Sequence, residues 1–254
     1  MGKNTRAPKA AREVAPKGTI VIGIPSRGIC ESHFARTLGD LTLWDSRYGR
    51  QHLHPERPII WTIGATQVVN ARNTLVHQFL ASDMGDWLLM LDDDQVYPKE
   101  LLEYLIESAD PVERPIVGVP VWRMQSDPTD ASNVKVCHNV LDIHESNAFV
   151  EYTDELPPNA VVQVPAVGTG CLLVHRSVLV RIADWCEEQG HGRRWCWFRH
   201  NVYMPADMAE GEDLYFCRLA AAVGIPIYVS TFTTLGHVKR IILNGALPSG
   251  VLTV

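Results

Sequence analysis

Short apolar runs alternate with amphipathic stretches along most of this chain. Thr19–Ile24 (TIVIGI) is apolar, rich in β-branched residues and ended by Pro25-Ser26-Arg27-Gly28, which predicts a buried strand entering a turn. Glu31–Trp44 carries Phe34, Leu38, Leu41 and Leu43 at mostly helical spacing. Residues 45–58 are polar and rich in His, Arg and Pro, a loop, and Ile59–Ile63 (IIWTI) is a second strand. Gln67–Phe79 turns Val68, Val69, Leu75, Val76 and Phe79 to a core as a helix, and Trp87–Leu91 (WLLML) is a third strand.

The second half repeats the pattern less regularly. A helix is predicted over Pro98–Ser108, opened by Pro98 near its first turn, and a fourth strand over Ile116–Val121. Asp127–Pro158 is polar, with weak strand signals near Val134–Val136 and Phe149–Tyr152. Val161–Val164 and Cys171–Val174 read as strands around the small-residue turn Gly168-Thr169-Gly170. Helices follow over Ser177–Glu188 and Glu212–Val223, and a strand over Ile225–Ser230. Strand, helix, strand, helix, strand implies an α/β fold with an open, mixed but mainly parallel sheet flanked by helices on both faces. One domain over residues 18–240 accounts for the pattern, with a basic tail at 1–17 and a second tail at 241–254.

Composition narrows the class. With 254 residues, 46% hydrophobic and 20% charged, the chain is long enough for one large α/β domain and ordinary for a soluble protein. No apolar run reaches the roughly 20 residues of a membrane span. The opening MGKNTRAPKAAREVAPK lacks the apolar stretch of a secretory signal, and Arg6 stands where a myristoylation signal needs Ser or Thr. Six cysteines are scattered with no C-x-x-C pair, so reduced thiols and a cytoplasmic location are expected. Cys186, His191, Cys196 and His200 fit no standard zinc-ligand spacing. A net charge of −6 gives a phosphate backbone no general attraction.

The sharpest chemical signal is Asp92-Asp93-Asp94, directly after an apolar strand. Ligands of open α/β sheets bind beyond the carboxyl ends of the strands. Three adjacent carboxylates repel one another unless a cation or hydrogen-bond donors compensate, and hard oxygen ligands suit Mg²⁺ or Mn²⁺ shared with substrate phosphates. An acidic turn capping the next helix is the plainer alternative. Extended alternation would point Asp92 and Asp94 one way and Asp93 the other. Pro25-Ser26-Arg27-Gly28 stands where α/β folds grip nucleotides, and Arg72-Asn73 lie one strand upstream of the acids. Neither a G-x-G-x-x-G nor a G-x-x-x-x-G-K-[ST] motif is present. Glu212-Asp213 open a helix, where they answer its dipole or do chemistry, and His237 follows a Gly in a loop. The irregular stretch 189–210 is the candidate acceptor loop. There Trp195 and Trp197 either offer flat stacking faces or pack inward, and Arg193-Arg194 suit a phosphate.

Taken in order, IVIGIPSRG, ARNTLVHQFL, WLLMLDDDQVYP, VGTGCLLVHRSVL, GEDLYFCRLAAAVGIPI and LGHV resemble GT-A glycosyltransferases, in particular family-2-like enzymes of bacteria and bacteriophages, over roughly Thr19–His237. The resemblance implies a GT-A, Rossmann-like fold and a UDP- or GDP-sugar donor. It implies a Mn²⁺ or Mg²⁺ cofactor held by Asp92, Asp94 and His237. It places Pro25, Ser26, Arg27, Arg72, Asn73, Asp92 and Asp93 on the donor, and lets Gly168, Thr169 and Gly170 make room for its sugar. Asp213, or otherwise Glu212, matches the acid that deprotonates an acceptor hydroxyl, with inversion. The acceptor class stays open between protein, glycan and modified nucleic acid. A nucleotidyltransferase and a non-catalytic sugar-nucleotide binder are the competing functions.

Overall fold

The computed structural model describes residues 18–64, 67–82, 85–126, 134–145, 148–200 and 210–239. The two expected tails and residues 201–209 of the candidate acceptor loop lie outside the described residues. The first half runs β1 (Ile20–Pro25), α1 (Ser32–Arg47), β2 (Ile59–Thr62), α2 (Val68–Ala81), β3 (Trp87–Leu91), β4 (Gln95–Val96), α3 (Leu101–Ser108) and β5 (Ile116–Gly118). Then come β6 (Trp122–Ser126), β7 (Val134–His138), β8 (Val140–Ile143), β9 (Phe149–Glu151), β10 (Val161–Val164) and β11 (Ala166–Val167). The chain continues with β12 (Cys171–His175), α4 (Arg176–Glu188), α5 (Glu212–Ala222), β13 (Ile227–Ser230) and β14 (Gly236–His237).

A seven-stranded sheet in the order β10-β13-β5-β12-β3-β1-β2 organises the molecule. Strands β2, β1, β3, β5 and β13 run one way, and β12 and β10 run against them. The sheet is therefore mixed and mainly parallel, as the sequence pattern predicts. Its inner strands β1, β3, β5 and β12 are buried almost throughout because both faces are covered, while the edge strands β2 and β10 keep exposed positions. In β3, Trp87, Leu89 and Leu91 join the core cluster that contains α1 and α3 residues, while Leu88 and Met90 join the cluster with α2, α4 and α5. All five are 0% exposed. Leu89→Ala is expected to cost about 2–5 kcal/mol, read as a lower urea midpoint at unchanged slope; a loss below 1 kcal/mol, as at an exposed site, would contradict this placement.

Several boundaries shift for local reasons. The helix expected from Pro98 begins at Leu101, because Pro98 first closes a turn in which its carbonyl accepts the Leu101 N–H at 3.2 Å. The strand expected over Ile116–Val121 ends at Gly118, and Pro120 has no N–H to continue the ladder. Val121 instead bridges Leu235, and the next residues peel off as β6, paired with β7. The last sheet strand starts at Ile227, just past Pro226. The sheet also positions a site: β1 pairs with β2 on one side and β3 on the other, so consecutive crossovers diverge at β1. A crevice at the carboxyl ends of β1 and β3 is where such a sheet binds ligands.

Candidate active site

Asp92 follows the last residue of β3, and its backbone N–H donates to the Gly170 carbonyl at 2.9 Å. The backbone then turns at Asp93-Asp94 before β4 pairs with β14, placing His237 opposite Gln95. Because the chain leaves the extended conformation here, the expected alternation of the three acids does not hold. All three line one cleft of about 380 Å³ together with Pro25, Ser26 and Arg27. The divergence of crossovers at β1 thus puts the first turn and the acidic turn side by side.

The three carboxylates have different surroundings. Asp94 Oδ2 lies 2.8 Å from His237 Nε2 and 3.5 Å from Lys239 Nζ, and the Asp94 carbonyl accepts the Val238 N–H at 2.8 Å. Burial alone would raise the Asp94 carboxyl; the His237 hydrogen bond and the charges of His237 and Lys239 outweigh it and hold it below the usual range. Burial raises Asp93, opposed by a Ser26 hydroxyl and reinforced by the charges of Asp94 and Asp92. Asp92 accepts from Arg72 Nη2 on both oxygens, at 2.9 and 3.2 Å.

Among the described residues no three His, Cys, Asp or Glu side chains converge as a ready-made metal shell. The pair Asp94–His237 nevertheless suits a divalent cation: a carboxylate oxygen and an imidazole nitrogen are in contact at the cleft, and the other His237 nitrogen is buried without a partner among the described residues. Mg²⁺ and Mn²⁺ commonly take one or two protein ligands and fill the remaining positions from phosphates and water. Asp92, expected as a third ligand, lines the same cleft and pairs with Arg72.

At the other side of Arg72, Glu212 and Asp213 open α5. Glu212 Oε1 lies 3.5 Å from Arg72 Nε. Asp213 Oδ1 accepts the Leu214 N–H at 2.9 Å. Burial raises the Asp213 carboxyl, the Glu212 charge adds to this, and the Arg72 charge opposes it. Burial thus outweighs the Arg72 charge and the backbone hydrogen bonds, which would lower the carboxyl. A base with a raised pKa loses activity as pH falls through that raised value. The acid limb of kcat/KM is therefore expected above the ordinary carboxylate pKa of about 4. A pH–rate profile checks this, and a limb at or below that value would oppose Asp213 as the titrating group.

No family model matches the chain, and no curated protein matches it. Among solved structures, GalNAc-T7 with UDP, GalNAc and Mn²⁺ aligns over 88% of this chain at a TM-score of 0.53 and 11% identity. The chain spans 44% of the GalNAc-T7 chain. A197 from STIV aligns over 87% of this chain and 86% of its own at 15% identity, with a TM-score of 0.47. The fold is GT-A-like.

Within this GT-A-like frame, some expected site residues do other work. Asn73 turns away from the cleft: Nδ2 donates to the Val69 and Phe198 carbonyls at 3.0 and 2.8 Å, and Oδ1 accepts the Phe198 N–H at 3.2 Å. It ties the middle of the candidate acceptor loop to α2. Trp197 is 3% exposed, with Nε1 donating to the Leu179 carbonyl at 2.8 Å, so its ring meets protein rather than an acceptor. Trp195 keeps an exposed face and a left-handed backbone, φ 59°. Arg193 pairs with Asp184 and Glu187 on α4. The glycine-flanked turn makes room for the protein's own side chains. A Cβ on Gly170 would run into Gln95 and lie 3.0 Å from Asp92 Oδ2, and one on Gly168 would lie 2.8 Å from Asn139 Nδ2. Thr169 is 1% exposed. Cys186 and Cys196 are both buried as free thiols.

Lys239 was invisible to sequence reasoning, yet it lines the cleft beside Asp94. Its only signal was a cation two residues beyond His237. No helix among the described residues is long and apolar enough to cross a membrane.

Proposed function

We propose that the protein is a metal-dependent glycosyltransferase that moves a sugar from a UDP- or GDP-sugar to an acceptor hydroxyl with inversion. The observation that carries this is Asp94, paired with His237 at 2.8 Å and lining a cleft together with Pro25, Ser26 and Arg27. In this reading the nucleoside lies against Pro25, Ser26, Arg27 and Asp93, and the diphosphate reaches Asp94. Asp94 and His237 would hold Mn²⁺ or Mg²⁺, which when bound neutralises charge on the departing diphosphate. Asp213 takes the proton of the acceptor hydroxyl as that oxygen bonds to the anomeric carbon and the carbon–oxygen bond to the diphosphate breaks. Glu212, ion-paired with Arg72, is less free to serve as that base. Trp195 is the exposed aromatic face available to an acceptor. A net charge of −6 favours a protein or glycan acceptor over nucleic acid. In this reading the protein works in the cytoplasm, a bacterial host's if the chain is phage-encoded.

A thermal-shift screen of UDP, GDP and their sugar derivatives, with Mn²⁺ or Mg²⁺, tests the donor. A nucleotide at 100 times its Kd is expected to add about 2.7 kcal/mol of stability. If neither nucleotide stabilises the protein with either cation, the proposal falls. Mass spectrometry of products then identifies the acceptor.

A further inference from the structure

Arg72 is the most fully engaged cation of the site, and it does not reach the cleft. It is 3% exposed, and its neighbour Ala71, not Arg72, lines the cavity. Its guanidinium joins three separate parts of the chain to α2. Nη2 holds both oxygens of Asp92 at the end of β3, at 2.9 and 3.2 Å. Nη1 reaches the Thr169 carbonyl at 3.4 Å, in the turn whose Gly170 carbonyl already receives the Asp92 N–H. Nε reaches Glu212 at the start of α5 at 3.5 Å. Each guanidinium nitrogen therefore has a protein partner.

The structure assigns Arg72 to be the positioning residue that locks the donor-side acid Asp92 and the acceptor-side Glu212–Asp213 turn into one frame. Both sites lie at the ends of different elements, and nothing in the backbone pairing joins β3 to α5 directly. A planar fork with donors along two edges can span carboxylates on different elements and a carbonyl between them, which a lysine ammonium on one stem cannot do. Fixing both halves matters because a displacement of about 1 Å can cost roughly 10²-fold in rate. The role rests on the proposed transferase only where rates are read.

Arg72→Lys and Arg72→Met test it, alone and combined with Asp92→Asn and with Glu212→Gln. Sugar-nucleotide turnover is measured for kcat and KM, and Tm for coupling. Arg72→Lys keeps the charge and is expected to fold, with kcat lower by about 10²-fold and donor KM changed little. Arg72→Met leaves two partly buried carboxylates without their cation and lowers Tm, and adding Asp92→Asn or Glu212→Gln then costs less than either does alone. Wild-type kcat in Arg72→Lys overturns the assignment. So does a loss confined to KM, which would mean direct contact with the donor, or Tm losses that simply add. If the wild type turns over no donor at all, the transferase proposal fails by itself. The Tm cycle then decides the clasp: additivity refutes it, and strong coupling sustains it.

Discussion

In the proposed glycosyltransferase, Asp213→Asn is expected to lower sugar transfer by about 10²–10⁴-fold, the usual contribution of a general base, and to leave nucleotide binding nearly unchanged. The substitution keeps the shape of the side chain and its hydrogen bond from the Leu214 N–H, so the start of α5 is preserved. What is lost is the ability to accept a proton. The neutral amide also removes a carboxylate that burial and Glu212 both penalise in its charged form. Its folded pKa lies above its unfolded one, so the folded acid holds its proton more tightly and ionised Asp213 costs stability once pH has risen through that interval. The variant is therefore expected to be as stable as the wild type or more so at neutral pH. Steady-state transfer, calorimetry with UDP and Mn²⁺, and a thermal melt together check this. A variant that turns over normally would pass the base to Glu212 or to another group.

Asp94→Ala is expected to remove the cation-dependent part of nucleotide stabilisation and to lower transfer by about 10²–10³-fold, the scale of losing one group that stabilises developing charge. Asp94 is the carboxylate kept ionised by the His237 hydrogen bond and by the charges of His237 and Lys239. Deleting it leaves two cationic or donor groups without their shared acceptor, so His237→Ala is the needed companion. If the pair acts together on one cation, each single variant abolishes the Mn²⁺-dependent shift given by UDP, and the double variant adds little. Persistence of that shift in Asp94→Ala would remove Asp94 from the cation site and return attention to Asp92.

Much of the fold is legible in the sequence. Short apolar runs such as WLLML, bounded by turn residues, read as strands covered on both faces, and their order with the intervening helices points to an α/β sheet of mainly parallel strands. The same local logic marked Asp92-Asp93-Asp94, since three acids directly after a buried strand fall at a ligand-binding edge. Two-residue strands such as β4, β11 and β14 are too short to carry any period, and they were missed.

Partnership was decided only by the tertiary structure. His237 meets Asp94 across 143 residues because β14 pairs with β4, and Arg72 meets Glu212 across 140 residues because α2 and α5 both pack on the sheet. No local pattern encodes such distances. Nor could residue type say which way a side chain turns. Arg72 and Asn73 are neighbours on one helix, yet one clasps acids and the other holds Phe198. Trp195 and Trp197 are two apart, yet packing leaves one ring exposed and seals the other in the core. Local sequence set which elements form and where charge must gather, and the packing of distant segments set which charges meet.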